Sequence, residues 1–271
     1  MSVDEIQRIG VDAHHIAPQV LHDALFAQHT VLVDDEIHTP VHVGKELHKN
    51  VVVCDVCDNT GDNISHLNDS MRELTGMYWV WKNVNDVKYV GSEHYRRRFG
   101  LSYKEIGDIL KEKDIITFKP MELNGQTLQY NYCSCHSFID FIIVEYIVKK
   151  IYSEYAEDWD KYIAKGNVLY SANCFICEKE QYDKACQFVF GVINAFMDTF
   201  KIENRERLIN HVQMFSRQVC PPDKLSIGWD WVKYQEGICG FLAERLFTLY
   251  ILHNFKRDKI YWADKIEMEK N

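Results

Sequence analysis

An acid, a histidine and three arginines fall within six residues, Glu93 to Arg98, in the run GSEHYRRR that begins at Gly91. They follow VKYVG, a segment rich in β-branched and aromatic residues, as a short buried strand is. In open α/β sheets, ligands bind just beyond the carboxyl ends of strands, which is where this cluster falls. Guanidinium forks match phosphate oxygens and stay charged at any working pH, so Arg96 and Arg97 are candidates for holding a phosphorylated ligand. If the two alternate as in a strand, only one of them faces a ligand. Glu93 and His94 are candidate ligands for Mn2+ or Mg2+, and His94 is also a candidate base near neutral pH. The choice between no cofactor and a divalent cation stays open, because one carboxylate and one imidazole make a thin ligand set. A net charge of -9 argues against a general nucleic-acid binder. Three clustered arginines in an acidic field suit a small phosphorylated ligand better.

The elements that must position this cluster can be read on either side of it. Leu67, Met71, Leu74, Tyr78 and Trp81 recur at alternating spacings of four and three, the period of a helix burying one face, with Ser65 as its N-cap. Asp62 and Asn63, just before that helix, are candidates for nucleoside or sugar hydroxyls, or else form an Asx turn. Glu73 and Thr75 flank the apolar stripe, from where either can reach a ligand lying above the helix. Upstream, IGVDAHH reads as a first strand and polar turn carrying His14 and His15. Residues 17 to 40 then read as an unpatterned connection, and TPVHVG leads to a second strand, VVVCDVC. Downstream come helix YKEIGDILKEKD, strand DIITFKP, a loop rich in Cys and Tyr, and helical sequence from 137 to 164. A strand over 167 to 177, a long amphipathic helix over 179 to 200 and the helix FLAERLFTLYIL complete the chain. Strands alternating with helices, followed by a helix-rich second half, predict an α/β protein with a mixed sheet covered by helices.

The composition, 46% hydrophobic and 26% charged, is that of an ordinary globular protein. The N-terminal residues lack the basic and apolar regions of a signal peptide, and no apolar run is long enough to span a bilayer, so a cytoplasmic protein is expected. Two CxxC pairs, Cys54 with Cys57 and Cys174 with Cys177, raise the question of zinc. Both lie in strand-like sequence, where residues three apart point to opposite faces, which argues against a shared metal.

The runs DNTGDNIS, ELTGMYWVWKN and YVGSEHYRRRF resemble a bacterial family of capsular and exopolysaccharide glycosyltransferases, first catalogued as a domain of unknown function and including galactofuranosyltransferases. TPVHVG, QYNYCSCH, EYAEDWDKYI, NCFI and GFLAERLF follow in the family's order, so the resemblance covers roughly residues 8 to 255. It implies a GT-A-like, Rossmann-type sheet within a single domain. Residues of about 8–178 would form the nucleotide-sugar region and about 179–271 a helical C-terminal region. It implies hexosyl transfer from a nucleotide sugar, most simply UDP-galactofuranose, to a glycan or lipid-linked oligosaccharide of capsule, O-antigen or exopolysaccharide. Such work would take place in the cytoplasm or at the inner face of the membrane. Such folds end a central strand in an acidic metal-binding motif, for which this chain has Ser92, Glu93 and His94. Glu244, in the segment matching the family's ERL run, is the expected catalytic base for an inverting reaction, with His94 and His136 as rivals. His136 and Asn173 are expected near the acceptor. The competing expectation is a nucleotide-sugar or glycan-binding protein that kept the fold and lost the chemistry.

Overall fold

The computed structural model describes residues 19–23, 37–94, 97–216 and 230–267. His14, His15 and Arg96 lie outside them. The strands are β1 (Gln19–Asp23), β2 (His38–His42), β3 (Val56–Cys57), β4 (Tyr89–His94), β5 (Arg97–Phe99), β6 (Ile115–Phe118), β7 (Met121–Glu122), β8 (Val168–Leu169), β9 (Phe175–Glu178), β10 (Ile260–Ala263) and β11 (Lys265–Glu267). The helices are α1 (Asn68–Met71), α2 (Leu74–Asn83), α3 (Tyr103–Ile109), α4 (Leu128–Cys135), α5 (Phe138–Ile151), α6 (Ala156–Asp158), α7 (Lys179–Phe200), α8 (Arg205–Phe215), α9 (Trp231–Gln235) and α10 (Ile238–Asn254).

The main sheet runs in the order β10-β6-β9-β4-β1-β2-β3. Strand β1 pairs in parallel with both β2 and β4, whereas β9 runs antiparallel between β4 and β6. From β1 the chain builds outward through β2 and β3, then returns to the other side of β1 as β4. The carboxyl ends of β1 and β4 therefore flank a topological switch point, where an open sheet leaves a crevice. A large apolar core packs α2, α5, α7 and α10 on one face, and a smaller one packs α3 on the other. Alternation along β4 puts Val90 in the first core and Tyr89 in the second, which fixes the directions of the residues that follow.

Several elements differ from the expectations. The segment from 17 to 40, read as a connection, contains the central strand β1, whose sequence QVLHD is too short and polar to show an apolar pattern. TPVH is itself a strand, and VVVCDVC contributes only the two-residue β3. The helix expected from Ser65 breaks at Arg72, which adopts a φ of 53°, so that a short 3-10 turn and α1 precede α2. Ser65 does not cap it; its hydroxyl bonds the buried Asp58 carboxylate at 2.5 Å, within the network that holds the Gly44 turn. The strand expected over 167 to 177 is interrupted at residues 171–173 by a tight turn. Cys174 and Cys177 lie in opposite cores, and the cysteines of the described residues are all free.

Candidate functional site

The two interruptions meet. Ala172 and Asn173 hold φ values of 69° and 53°, in the left-handed region that β-carbons disfavour, and the turn they form sits over the carboxyl end of β4. Ser92 donates from Oγ to the Asn173 carbonyl at 2.9 Å, and the Asn173 side-chain amide donates to Glu73 Oε1 at 2.7 Å. Glu73 is the residue released by the break at Arg72, at the start of α2. From the other side, Glu244 Oε1 accepts the Ala172 N–H at 2.7 Å, and Glu244 Oε2 accepts from Arg245 at 2.9 Å. The first turn of α10 comes close here as well, since a β-carbon at Gly240 would stand 3.9 Å from Glu73 Oε1. Three segments distant in sequence thus place two carboxylates on either side of one strained turn.

A crevice opens beside them, lined by Glu73, Ser92, His94, Asn173 and the apolar Val41 and Val43. Its polar groups are poised for a partner. Asn173 is 2% exposed, yet its side-chain oxygen has no hydrogen-bond partner among the described residues. A buried amide oxygen left unpaired costs about 1–3 kcal/mol, which a ligand donor would recover. Burial raises the Glu73 carboxyl pKa, and the nearby Glu244 charge adds to the rise against the hydrogen bond from Asn173. A carboxyl tuned upward in a crevice is suited to proton transfer near neutral pH.

A family model for a domain of unknown function, DUF4422, matches residues 24–215, well over half of the chain. The chain belongs to this family. A solved structure, that of the bifunctional glycosyltransferase WbbM in its apo form, shares the fold with a TM-score of 0.70 at 21% identity. The match covers 92% of this chain and 45% of WbbM, so the DUF4422 chain spans under half the length of that protein. No curated protein matches it in sequence.

Within this DUF4422 fold the residues singled out from the sequence scatter. Glu73, His94, Asn173 and Glu244 come together at the crevice. Arg97 pairs with His94 across the β4–β5 hairpin and so shares its face, and its charge is felt at the buried Cys174 thiol. Glu93 also borders the crevice, but its carboxylate is turned to the other face. Its side chain is fully buried, with Oε2 accepting the Phe99 N–H at 2.8 Å and Oε1 lying 3.2 Å from His38 and 3.5 Å from Arg98. That network engages the carboxylate that a metal paired with His94 would need. Among the described residues, no group of three or more His, Cys, Asp and Glu lies close enough to hold a metal ion. The described residues therefore supply no ligand set for a resident divalent cation.

Asp62 and Asn63 lie elsewhere. Asn83, the last residue of α2, bonds both the amide and the carbonyl of Asp62, and Tyr78 donates to the Asp62 carboxylate at 3.1 Å. The length of α2, about 15 Å for ten residues, separates them from Glu73. Thr75 is fully buried, and its hydroxyl is shared between Asn68 and the Arg72 carbonyl. His136 bonds Gln235 at 2.9 Å and stacks on Phe241, with ring centroids 4.1 Å apart. Burial pushes its pKa down to about 4, so it is a neutral core imidazole. The strained turn at 171–173 is the feature that sequence inspection missed. Its trace was the polar SAN between apolar runs, a break in what otherwise reads as one strand.

Proposed function

We propose that this protein is a glycosyltransferase that moves a hexosyl group from a nucleotide sugar to a glycan, with the crevice at the end of β4 as its reaction centre. The observation that carries this reading is the pair Glu73 and Glu244 flanking the Ala172–Asn173 turn, at the switch point of a sheet shared with WbbM. Transfer with inversion needs one base and one cation. In our reading Glu73 takes the proton from the acceptor hydroxyl as that oxygen bonds the anomeric carbon. The bond from that carbon to the diphosphate oxygen breaks on the opposite face. Arg97, assisted by Arg96, stabilises the departing diphosphate. Glu244, whose two oxygens already accept from Ala172 and Arg245, holds the turn that presents Asn173. Asn173 is assigned to orient a hydroxyl through its unpartnered oxygen.

The donor we propose is UDP-galactofuranose and the acceptor a growing surface polysaccharide or lipid-linked glycan, assembled in the cytoplasm or at the inner membrane face by one domain of this chain. No helix among the described residues is long and apolar enough to cross a membrane. Product analysis after incubation with a panel of UDP sugars and a glycan acceptor tests this. A new glycoside of inverted anomeric configuration is expected, and absence of both transfer and donor hydrolysis across the panel overturns it in favour of a binding protein of the same fold.

A further inference from the structure

The crevice is small, but a second and much larger recess adjoins it. A cleft of about 550 Å³ opens along the edge strand β10, between the β7–β8 ribbon and the end of α10. The chain connects the two directly, since Tyr170, which lines the cleft, lies two residues before Ala172, a backbone reach of about 7 Å. It is also tied to the carboxylate pair, because the Tyr170 N–H donates to Thr248 Oγ1 at 3.0 Å and that hydroxyl donates to the Glu244 carbonyl at 2.7 Å.

The lining is of a particular kind. Tyr162, Tyr170 and Trp262 supply aromatic surface, while Lys119, Asn167 and Arg257 supply hydrogen-bond donors. Trp262 is held in place, its indole N–H donating to the Tyr170 hydroxyl at 3.4 Å and the Arg257 guanidinium lying 5.3 Å from its ring centre. It nonetheless remains 37% exposed. A rigid, half-exposed indole ringed by amide, ammonium and guanidinium donors matches a pyranose ring, whose C–H face is apolar and whose rim is hydroxylated.

We infer that this cleft is the acceptor subsite, binding a hexose ring of the glycan against Trp262 and feeding its terminal hydroxyl past Tyr170 to the crevice. The inference rests on the transferase reading above, so its test has one arm that needs no donor. Calorimetry and saturation-transfer NMR of the full chain with galacto- and gluco-oligosaccharides of two to four rings should show saturable binding. Trp262→Ala should weaken it at least tenfold and Trp262→Phe by no more than threefold. In the second arm, Trp262→Ala should raise the acceptor KM about tenfold with kcat and donor KM within twofold. Failure of every oligosaccharide to bind overturns the inference, as does an unchanged Kd or acceptor KM in Trp262→Ala. If Trp262→Ala does not fold, Arg257→Ala replaces it with the same criteria. Absence of turnover with intact, Trp262-dependent saccharide binding overturns the transferase reading alone.

Discussion

Replacing Glu73 with glutamine separates chemistry from architecture at this site. The amide keeps the length and volume of the carboxylate, and its carbonyl oxygen can still accept the Asn173 Nδ2–H bond now made at 2.7 Å. The structural cost is then at most that of one altered hydrogen bond, about 1 kcal/mol. The sign of the pH effect is opposite to the usual carboxylate case. Burial raises the Glu73 pKa in the folded protein, so the group contributes stability that is complete below its unfolded value of 4.5 and lost as pH rises through the folded value. Above that folded value the wild-type protein carries an unfavourably desolvated charge, and Glu73→Gln removes it. The variant should therefore match or exceed the wild type in urea unfolding at pH 7. Removing a general base should lower kcat by about 10² to 10⁴, equivalent to about 3–5 kcal/mol of barrier. The wild-type kcat/KM should fall on the acid side as Glu73 takes up a proton, and that limb should be absent from the residual activity of the variant. A Glu73→Gln enzyme within threefold of wild-type kcat, or one that keeps the acid limb, refutes the assignment and returns the base to Glu244.

Three other outcomes follow from the fold. Gly91 sits where β4 meets β9, and a β-carbon there would stand 2.6 Å from the Phe175 carbonyl oxygen and 3.0 Å from the Ile176 α-carbon. Gly91→Ala must spread the two strands and should cost about 1–3 kcal/mol in urea unfolding; a neutral effect would show that this pairing is looser than described. Glu93→Ala strands His38 and Arg98 without their carboxylate and should destabilise by about 3 kcal/mol, whereas Glu93→Gln should recover part of that loss; equal effects would refute an electrostatic role. His136, with a folded pKa of about 4 against 6.5 unfolded, contributes stability that is present above pH 6.5 and lost as pH falls toward 4. The loss should amount to roughly 3 kcal/mol at most and should disappear in His136→Phe, as measured by urea midpoints between pH 4 and 7.

Which parts of this molecule could be read from its residues depends on whether the cause was local. The amphipathic α7 and the Ser102 capping box that starts α3 are local, and both helices occur where periodicity or capping places them, whereas the stripe from Leu67 holds as one helix only from Leu74 on. Strand β1 was hidden because its place is set by pairing with β2 and β4 on either side, and QVLHD carries no alternation of its own. The segment KRDKIYWADKIEMEK mixes both charge signs, yet Ile260 to Ala263 within it form an edge strand parallel to β6, a pairing that spans about 145 residues. The site divides in the same way. Arginines beyond a strand could be found by type and spacing, but the direction of Glu93 could not, since a one-residue shift in register would have turned it toward His94's face. Placement of Glu73 required a helix broken at Arg72 and a left-handed turn at Ala172, two strained backbones that local propensity argues against. Strain of this kind persists only where surrounding contacts enforce it, and here those contacts are the hydrogen bonds of Ser92, Asn173 and Glu244. The places where local rules fail are thus the ones that bring residues 73, 173 and 244 together. Wherever two such violations meet at the carboxyl end of a central strand, the economical explanation is a site that needed side chains no regular element would deliver.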